Sequence, residues 1–307
     1  MSVFSVAEQE VIFTGAEDNC LVATAYVPKG GKSKFAPVLL MHGGGQTRYS
    51  WVATAHQLAE RGRVAIAVDA RGHGKSDWVK SGHYTFDHYR DDLVCLCEQV
   101  TARWGNGIQG PVLIGASMGG IAGMMAQEKG DPHDWGYPLF STLIFVDVTP
   151  SLTMTGVDKI LGFMAANMRD GFESVEAAAD VIAQYLPNRS RPKSLTGLSK
   201  NLRQRDDSRW YWHWDPLFID GAYNISTGRN DREDELKNAV KQITVPTMLV
   251  RGAKSELVTQ KAVEEFLQMV PHAKFNDINE AGHMVAGDKN DAFAQAAISF
   301  LDEVLSR

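Results

Sequence analysis

The run Gly115-Ala116-Ser117-Met118-Gly119-Gly120 follows a short apolar segment, residues 112–114, and opens an amphipathic stretch. A serine placed between a strand and a helix sits on a turn too sharp for bulky neighbours. The positions two before and two after it must be small, and both are glycine here. The start of the helix also points free N–H groups and the positive end of its dipole at any negative charge forming beside Ser117. The predicted chemistry is attack on a carbonyl with Ser117 as nucleophile. A hydroxyl is a poor nucleophile until a base takes its proton, so a histidine held by a carboxylate is required elsewhere. Of nine histidines, His283 is the candidate base, because Ala281-Gly282-His283-Met284 lies after the last strand-like run and before the final helical one. His42 and His73 sit in glycine-rich turns and are expected to brace loops; the other six read as surface or insertion residues. The oxyanion of a tetrahedral intermediate needs backbone donors. Met118, following the nucleophile, supplies one; Gly44 in His42-Gly43-Gly44-Gly45-Gln46 supplies the other, with Gly45 as the alternative.

The elements that must position these residues are legible as two textures. Residues 11–14 and 21–27 alternate and read as a hairpin across the turn-rich 15–19. Apolar runs at 38–41, 64–68, 112–114, 143–148, 247–250 and, more weakly, 274–278 then read as buried parallel strands. Between them, residues 51–61, 86–104, 118–129, 260–269 and 292–305 repeat apolar positions at helical spacing. Strands alternating with helices predict an α/β doubly wound, mostly parallel sheet of about eight strands, with the site at the strands' carboxyl ends. Residues 149–242 break the rhythm: no strand-like run is apparent, only helical pieces near 157–168, 175–185 and 195–205. That length is too great for a connection, so it reads as a helical cap inserted after the sixth strand. The expected division is a core of 1–148 and 243–307 with a cap of 149–242. Trp210, Trp212 and Trp214 near the cap's end are candidates for an apolar substrate pocket, and ordinary packing inside the cap is the competing reading.

Composition narrows the partners. In 307 residues, 44% hydrophobic and 22% charged, the net charge is −6 without a basic block, which excludes a nucleic-acid or anionic-membrane footprint. Three cysteines, two of them at 95 and 97 on one helical run, read as reduced hydrophobes rather than a disulfide framework. The first ten residues lack a basic segment followed by an apolar one, so a cytoplasmic location is expected. The expected partner is a small-molecule ester, with no nucleic acid, no membrane, and a monomer or homodimer. No cofactor and no metal are expected: no His/Cys/Asp group has ligand spacing, and Gly43 to Gly45 lack the dinucleotide-binding context.

Taken together, His42-Gly43-Gly44 with Trp51 following, Asp69-Ala70-Arg71-Gly72-His73-Gly74-Lys75-Ser76-Asp77, the turn at Ser117, Val146-Asp147-Val148-Thr149-Pro150, Arg251-Gly252-Ala253-Lys254-Ser255-Glu256 and Gly282-His283 resemble the α/β-hydrolases. Within them the resemblance is to the lid-bearing branch of serine esterases, non-haem chloroperoxidases (perhydrolases) and C–C hydrolases. It implies an α/β-hydrolase fold and a catalytic triad in the order serine, acid, histidine, with the acid after the penultimate strand. Glu256 is the only carboxylate in that loop and is the expected acid; Asp147, ending the neighbouring strand, is the alternative. The expected activity is that of a serine carboxylic ester hydrolase (carboxylesterase) acting on small to medium esters, lactones included, through an acyl-enzyme. One alternative is a C–C bond hydrolase of ring-fission products, with Arg189, Arg191 or Arg203 receiving a second carboxylate. Another is a non-catalytic hydrolase-fold receptor. A serine nucleophile argues against epoxide hydrolases and haloalkane dehalogenases, which use aspartate.

Overall fold

Strand by strand, the apolar runs assemble into one sheet in the order β1-β2-β4-β3-β5-β6-β9-β10. The computed structural model describes residues 4–29, 33–105, 109–128, 137–185, 195–228, 232–279, 281–283, 285 and 290–304. Arg189 and Arg191 lie outside the described residues. β1 (Val6–Thr14) and β2 (Cys20–Pro28) form the expected antiparallel hairpin, and β2 runs antiparallel to β4 (Ala65–Val68). β3 (Val38–Met41), β4, β5 (Val112–Ala116), β6 (Thr142–Val146), β9 (Thr247–Gly252) and β10 (Lys274–Ile278) are parallel. Met41 pairs with Gly115, Ala116 with Val146, and Val146 with Val250, so β3, β5, β6 and β9 release their chains side by side.

The two-residue period of the strands sends alternate side chains to opposite faces. Leu39, Met41, Leu113, Leu143, Phe145 and Leu249 join one apolar cluster; Val38, Leu40, Val112, Ile114, Ile144 and Met248 join the other. α2 (Phe86–Trp104), α3 (Met118–Glu128) and α9 (Gln260–Met269) lie on the first face, and α1 (Val52–Glu60) and α10 (Asn290–Val304) on the second. With both faces covered, the central strands can be apolar throughout. β10 closes one edge and is the most exposed parallel strand, which is why its sequence signal is weak.

The insertion after β6 holds α4 (Met154–Ala165), α5 (Val175–Tyr185), α6 (Thr196–Ser199), α7 (Leu217–Asp220) and α8 (Arg232–Lys241). One feature differs from the sequence expectation. Residues 195–205 are not one helix: α6 ends at Ser199, and β7 (Leu202–Gln204) pairs antiparallel with β8 (Trp210–Trp212). Consecutive aromatics favour a strand, and the turn closes through the Arg205 N–H to the Arg209 carbonyl, with Ser208 at φ 63°. α8 packs against α3 with Leu236, Ala239 and Val240 buried. Among the described residues no helix is long and apolar enough to cross a membrane.

Candidate active site

Ser117 stands between β5 and α3 with φ 45°, in the left-handed region that side-chain-bearing residues avoid. The glycines around it permit the close passage. A Cβ on Gly115 would stand 2.7 Å from the Gly119 carbonyl oxygen, and one on Gly119 would stand 2.6 Å from the Met41 Cβ. The turn is anchored on the next strand, where the Ser117 N–H donates to the Val146 carbonyl at 3.1 Å. Beyond it, Met118 begins α3, and the first N–H groups of a helix have no acceptor within it.

The glycine loop after β3 passes directly beside this turn: a Cβ on Gly43 would stand 3.3 Å from the Ser117 Cβ. Its N–H groups have separate fates. Gly43 donates to the Gln46 Oε1 at 3.1 Å and Gly45 to the His73 Nε2 at 3.0 Å, whereas the Gly44 N–H has no hydrogen-bond partner among the described residues. Gly45, the alternative oxyanion donor, is therefore already committed. His42 and His73 do brace loops. His42 places Nδ1 2.8 Å from the Gly43 carbonyl and accepts the Ala70 N–H at Nε2. His73 places Nδ1 2.9 Å from the Arg71 carbonyl. In both rings the acceptor on one side assigns the proton to Nδ1. Complete burial holds His42 below the usual imidazole range, and burial followed by the neighbouring His42 pushes His73 down to about 3, so both are neutral braces.

His283 is brought to a carboxylate, but not to Glu256. Its Nδ1 lies 2.6 Å from the Asp147 Oδ2. Asp147 follows β6 immediately, is fully buried, and has φ 49°, the same unusual backbone region as Ser117. Its carboxylate also accepts the Gly252 N–H at 3.0 Å and the Ser255 hydroxyl at 2.6 Å. The Ser255 Oγ in turn accepts the N–H groups of Leu257 and Val258 at 3.2 and 3.3 Å, so its own proton is left for Asp147. Glu256 points the other way: it is 62% exposed, and both of its oxygens lie within 2.8 Å of the Lys159 ammonium on α4. The structure thus brings His283 to Asp147, the alternative acid, and not to Glu256, for a local reason. The turn after β9, closed by the Ser255 N–H on the Gly252 carbonyl, aims residue 255 inward and residue 256 outward.

From the insertion, Phe218 Cζ would stand 3.2 Å from a Cβ on Gly44, and Met164 Cε 2.8 Å from one on Gly45, with Trp214 Nε1 at 3.7 Å. Of the three tryptophans singled out by sequence, only Trp214 reaches the glycine loop. Trp212 packs edge-on against Phe172 at 5.0 Å and near Phe163 at 5.9 Å, and Trp210 pairs through its backbone with Phe172. Those two serve the insertion's own core. Met164 and Phe218 carry no local sequence signal beyond being apolar.

A hydrolase family model described as serine aminopeptidase, S33, matches residues 32–290. Esterase Rv0045c of Mycobacterium tuberculosis is 26% identical over 271 residues, covering 86% of this chain and 82% of that protein. The 2-(acetamidomethylene)succinate hydrolase of Mesorhizobium japonicum is 27% identical over 240 residues, 78% of each chain. The crystal structure of E-2-(acetamidomethylene)succinate hydrolase superposes with a TM-score of 0.78 at 21% identity, covering 96% of this chain and 100% of that one. The fold, the family match and the relatives agree: this chain is a hydrolase of the serine aminopeptidase S33 family, within the α/β-hydrolase superfamily.

Proposed function

We propose that this hydrolase cleaves small to medium carboxylic esters, lactones among them, through an acyl-enzyme on Ser117. The observation that carries the reading is the pairing of His283 with the buried Asp147 carboxylate, at the strand end adjoining the strained Ser117 turn. His283 takes the Ser117 proton at Nε2 as Oγ bonds to the carbonyl carbon, and Asp147 holds the imidazolium that results. The N–H groups of Gly44 and Met118 receive the oxyanion. The alkoxide leaves with the proton from His283. Water, activated by the same ring, then releases the acid and restores Ser117.

The insertion acts in this reading as a cap. Met164, Trp214 and Phe218 lie over the glycine loop and make the adjoining surface apolar, which suits an alkyl or aryl ester better than a dicarboxylate. The esterase relative supports the same class. The test is a panel of p-nitrophenyl esters, lactones and a ring-fission dienoate, run on the wild type and Ser117→Ala, with fluorophosphonate labelling in parallel. Ester turnover lost in Ser117→Ala by several orders of magnitude supports the reading. Preference for the dienoate moves the protein to C–C hydrolysis, and labelling of Ser117 without any turnover points to a receptor.

A further inference from the structure

Residues far apart in sequence converge at a second place, beside the Arg71 guanidinium. Glu17 comes from the turn between β1 and β2, His83 from the loop preceding α2, and His88 from the first turn of α2. One donor atom from each lies within 4.8 Å of the other two. The His83 and His88 rings stack with centroids 4.5 Å apart and planes 21° from parallel. The Glu17 Oε1 already meets the His83 Nδ1 at 2.8 Å, while its Oε2 takes the Arg71 guanidinium at 2.5 Å. His88 is oriented from behind by the Thr85 hydroxyl, 2.8 Å from its Nδ1. Such outer hydrogen bonds fix the ring and leave the other nitrogen to a ligand.

We propose that Glu17, His83 and His88 form a binding site for one divalent transition cation. A carboxylate oxygen with two imidazole nitrogens is the donor set of zinc, cobalt, nickel and copper rather than of magnesium or calcium, which take oxygen alone. The three side chains are partly exposed, so an ion can reach them from solvent. Arg71 does not repel the ion as a free charge would, because Asp92 holds it through two bonds and the His83 carbonyl accepts a third. Ligands around one such ion sit about 3.3 Å apart, so the most widely separated donors must draw in by at most about 1.5 Å and the two stacked rings must swing to aim their in-plane lone pairs at one point, within the reach of exposed rotamers. These ligands have no regular spacing along the chain; the fold assembles them from three segments. An occupied site would tie the β1–β2 turn to α2. Through His83, whose backbone bridges Tyr223, it would also tie both to the insertion.

Titration of the full-length protein with cobalt(II), followed by its visible absorption and by displacement with zinc, tests the proposal. The wild type should bind one equivalent, with magnesium and calcium failing to compete, and the ion should raise the thermal midpoint. His88→Gln and Glu17→Gln should each weaken cobalt binding by at least about 10-fold, with far-UV circular dichroism and fluorophosphonate labelling of Ser117 unchanged without metal. Unchanged affinity in both variants, or less than one equivalent in the wild type, overturns the site. A variant that binds weakly and also fails the circular dichroism control is replaced in the comparison by His83→Gln, judged by the same two readouts.

Discussion

Replacing Asp147 by Asn is the perturbation that most directly separates the two candidate acids. In the wild type, one carboxylate oxygen accepts the Gly252 N–H at 3.0 Å, and the other accepts both the His283 Nδ1–H at 2.6 Å and the Ser255 hydroxyl at 2.6 Å. An asparagine would keep its oxygen toward Gly252, the fixed backbone donor, and so turn its NH₂ toward His283. The imidazole must then accept at Nδ1 and carry its proton on Nε2, where it can no longer take one from Ser117. The loss expected from such a tautomer reversal is about 10⁴-fold in kcat, on the order of 5.5 kcal/mol of transition-state stabilisation. Glu256→Gln removes only an exposed ion pair with Lys159, of a kind worth at most about 1 kcal/mol and unconnected to the imidazole. Its kcat should stay within about fivefold of wild type. Initial rates with the best p-nitrophenyl ester, on both variants and with circular dichroism as a fold control, give the answer. A well-folded Asp147→Asn retaining more than about a tenth of the activity would refute the tautomer argument.

Three further outcomes are expected. Ser255→Ala removes one of the three bonds to the buried Asp147 carboxylate, and a bond to a charged group contributes about 1.5–3 kcal/mol, so kcat should fall about 10- to 100-fold with KM little changed; a change confined to KM would remove Ser255 from the positioning of Asp147. Burial keeps His42 and His73 neutral in the native state, His73 with a value of about 3, while the unfolded chain takes up protons near the ordinary imidazole value. The unfolded state therefore binds more protons below about pH 6.5, and stability should fall with acidification by up to about 1.4 kcal/mol per pH unit for each ring. Urea midpoints at about pH 7.5 and 5.5 measure this, and the slope should shrink in His73→Asn; a midpoint that rises on acidification contradicts the assignment. Gly119→Ala would drive a methyl to 2.6 Å from the Met41 Cβ and 2.7 Å from its carbonyl oxygen, costing about 1–3 kcal/mol in urea unfolding. Stability unchanged within experimental scatter would mean that the turn has room it is not expected to have.

The parts of the site legible in sequence are those whose signal is local. Ser117 is announced by glycines two residues to either side, and His283 by its place between the last strand and the last helix. The acid is not local. Val146 and Val250 pair across β6 and β9, so the carboxyl ends of these parallel strands lie side by side, and a carboxylate leaving either can approach the same imidazole. Which one does so depends on two turns. Asp147 leaves β6 with a positive φ and a buried side chain, whereas the turn after β9 gives its inward position to Ser255 and sends Glu256 to Lys159. The presence of a carboxylate in the loop is local, but which residue of the loop faces inward is not. The same limit explains the hairpin of β7 and β8. The spacing from Leu195 onward is helical, yet the aromatic run at 210–212 forms a strand only with the partner that the fold supplies.

The commitment of the surrounding hydrogen bonds is what singles out a donor in the glycine loop. Three successive glycines offer three N–H groups, and the sequence favours Gly44 with Gly45 as the alternative. His73 decides between them: its Nδ1 must donate to the Arg71 carbonyl, which leaves Nε2 as an acceptor, and the Gly45 N–H fills it. The Gln46 side chain takes the Gly43 N–H in the same way. A protonated His73 would present donors on both nitrogens and would have to surrender Gly45, so the burial that keeps the ring neutral also keeps the loop in one arrangement. Among the described residues Gly44 is left with its N–H unspent beside the Ser117 turn, which is the position the proposed oxyanion role requires.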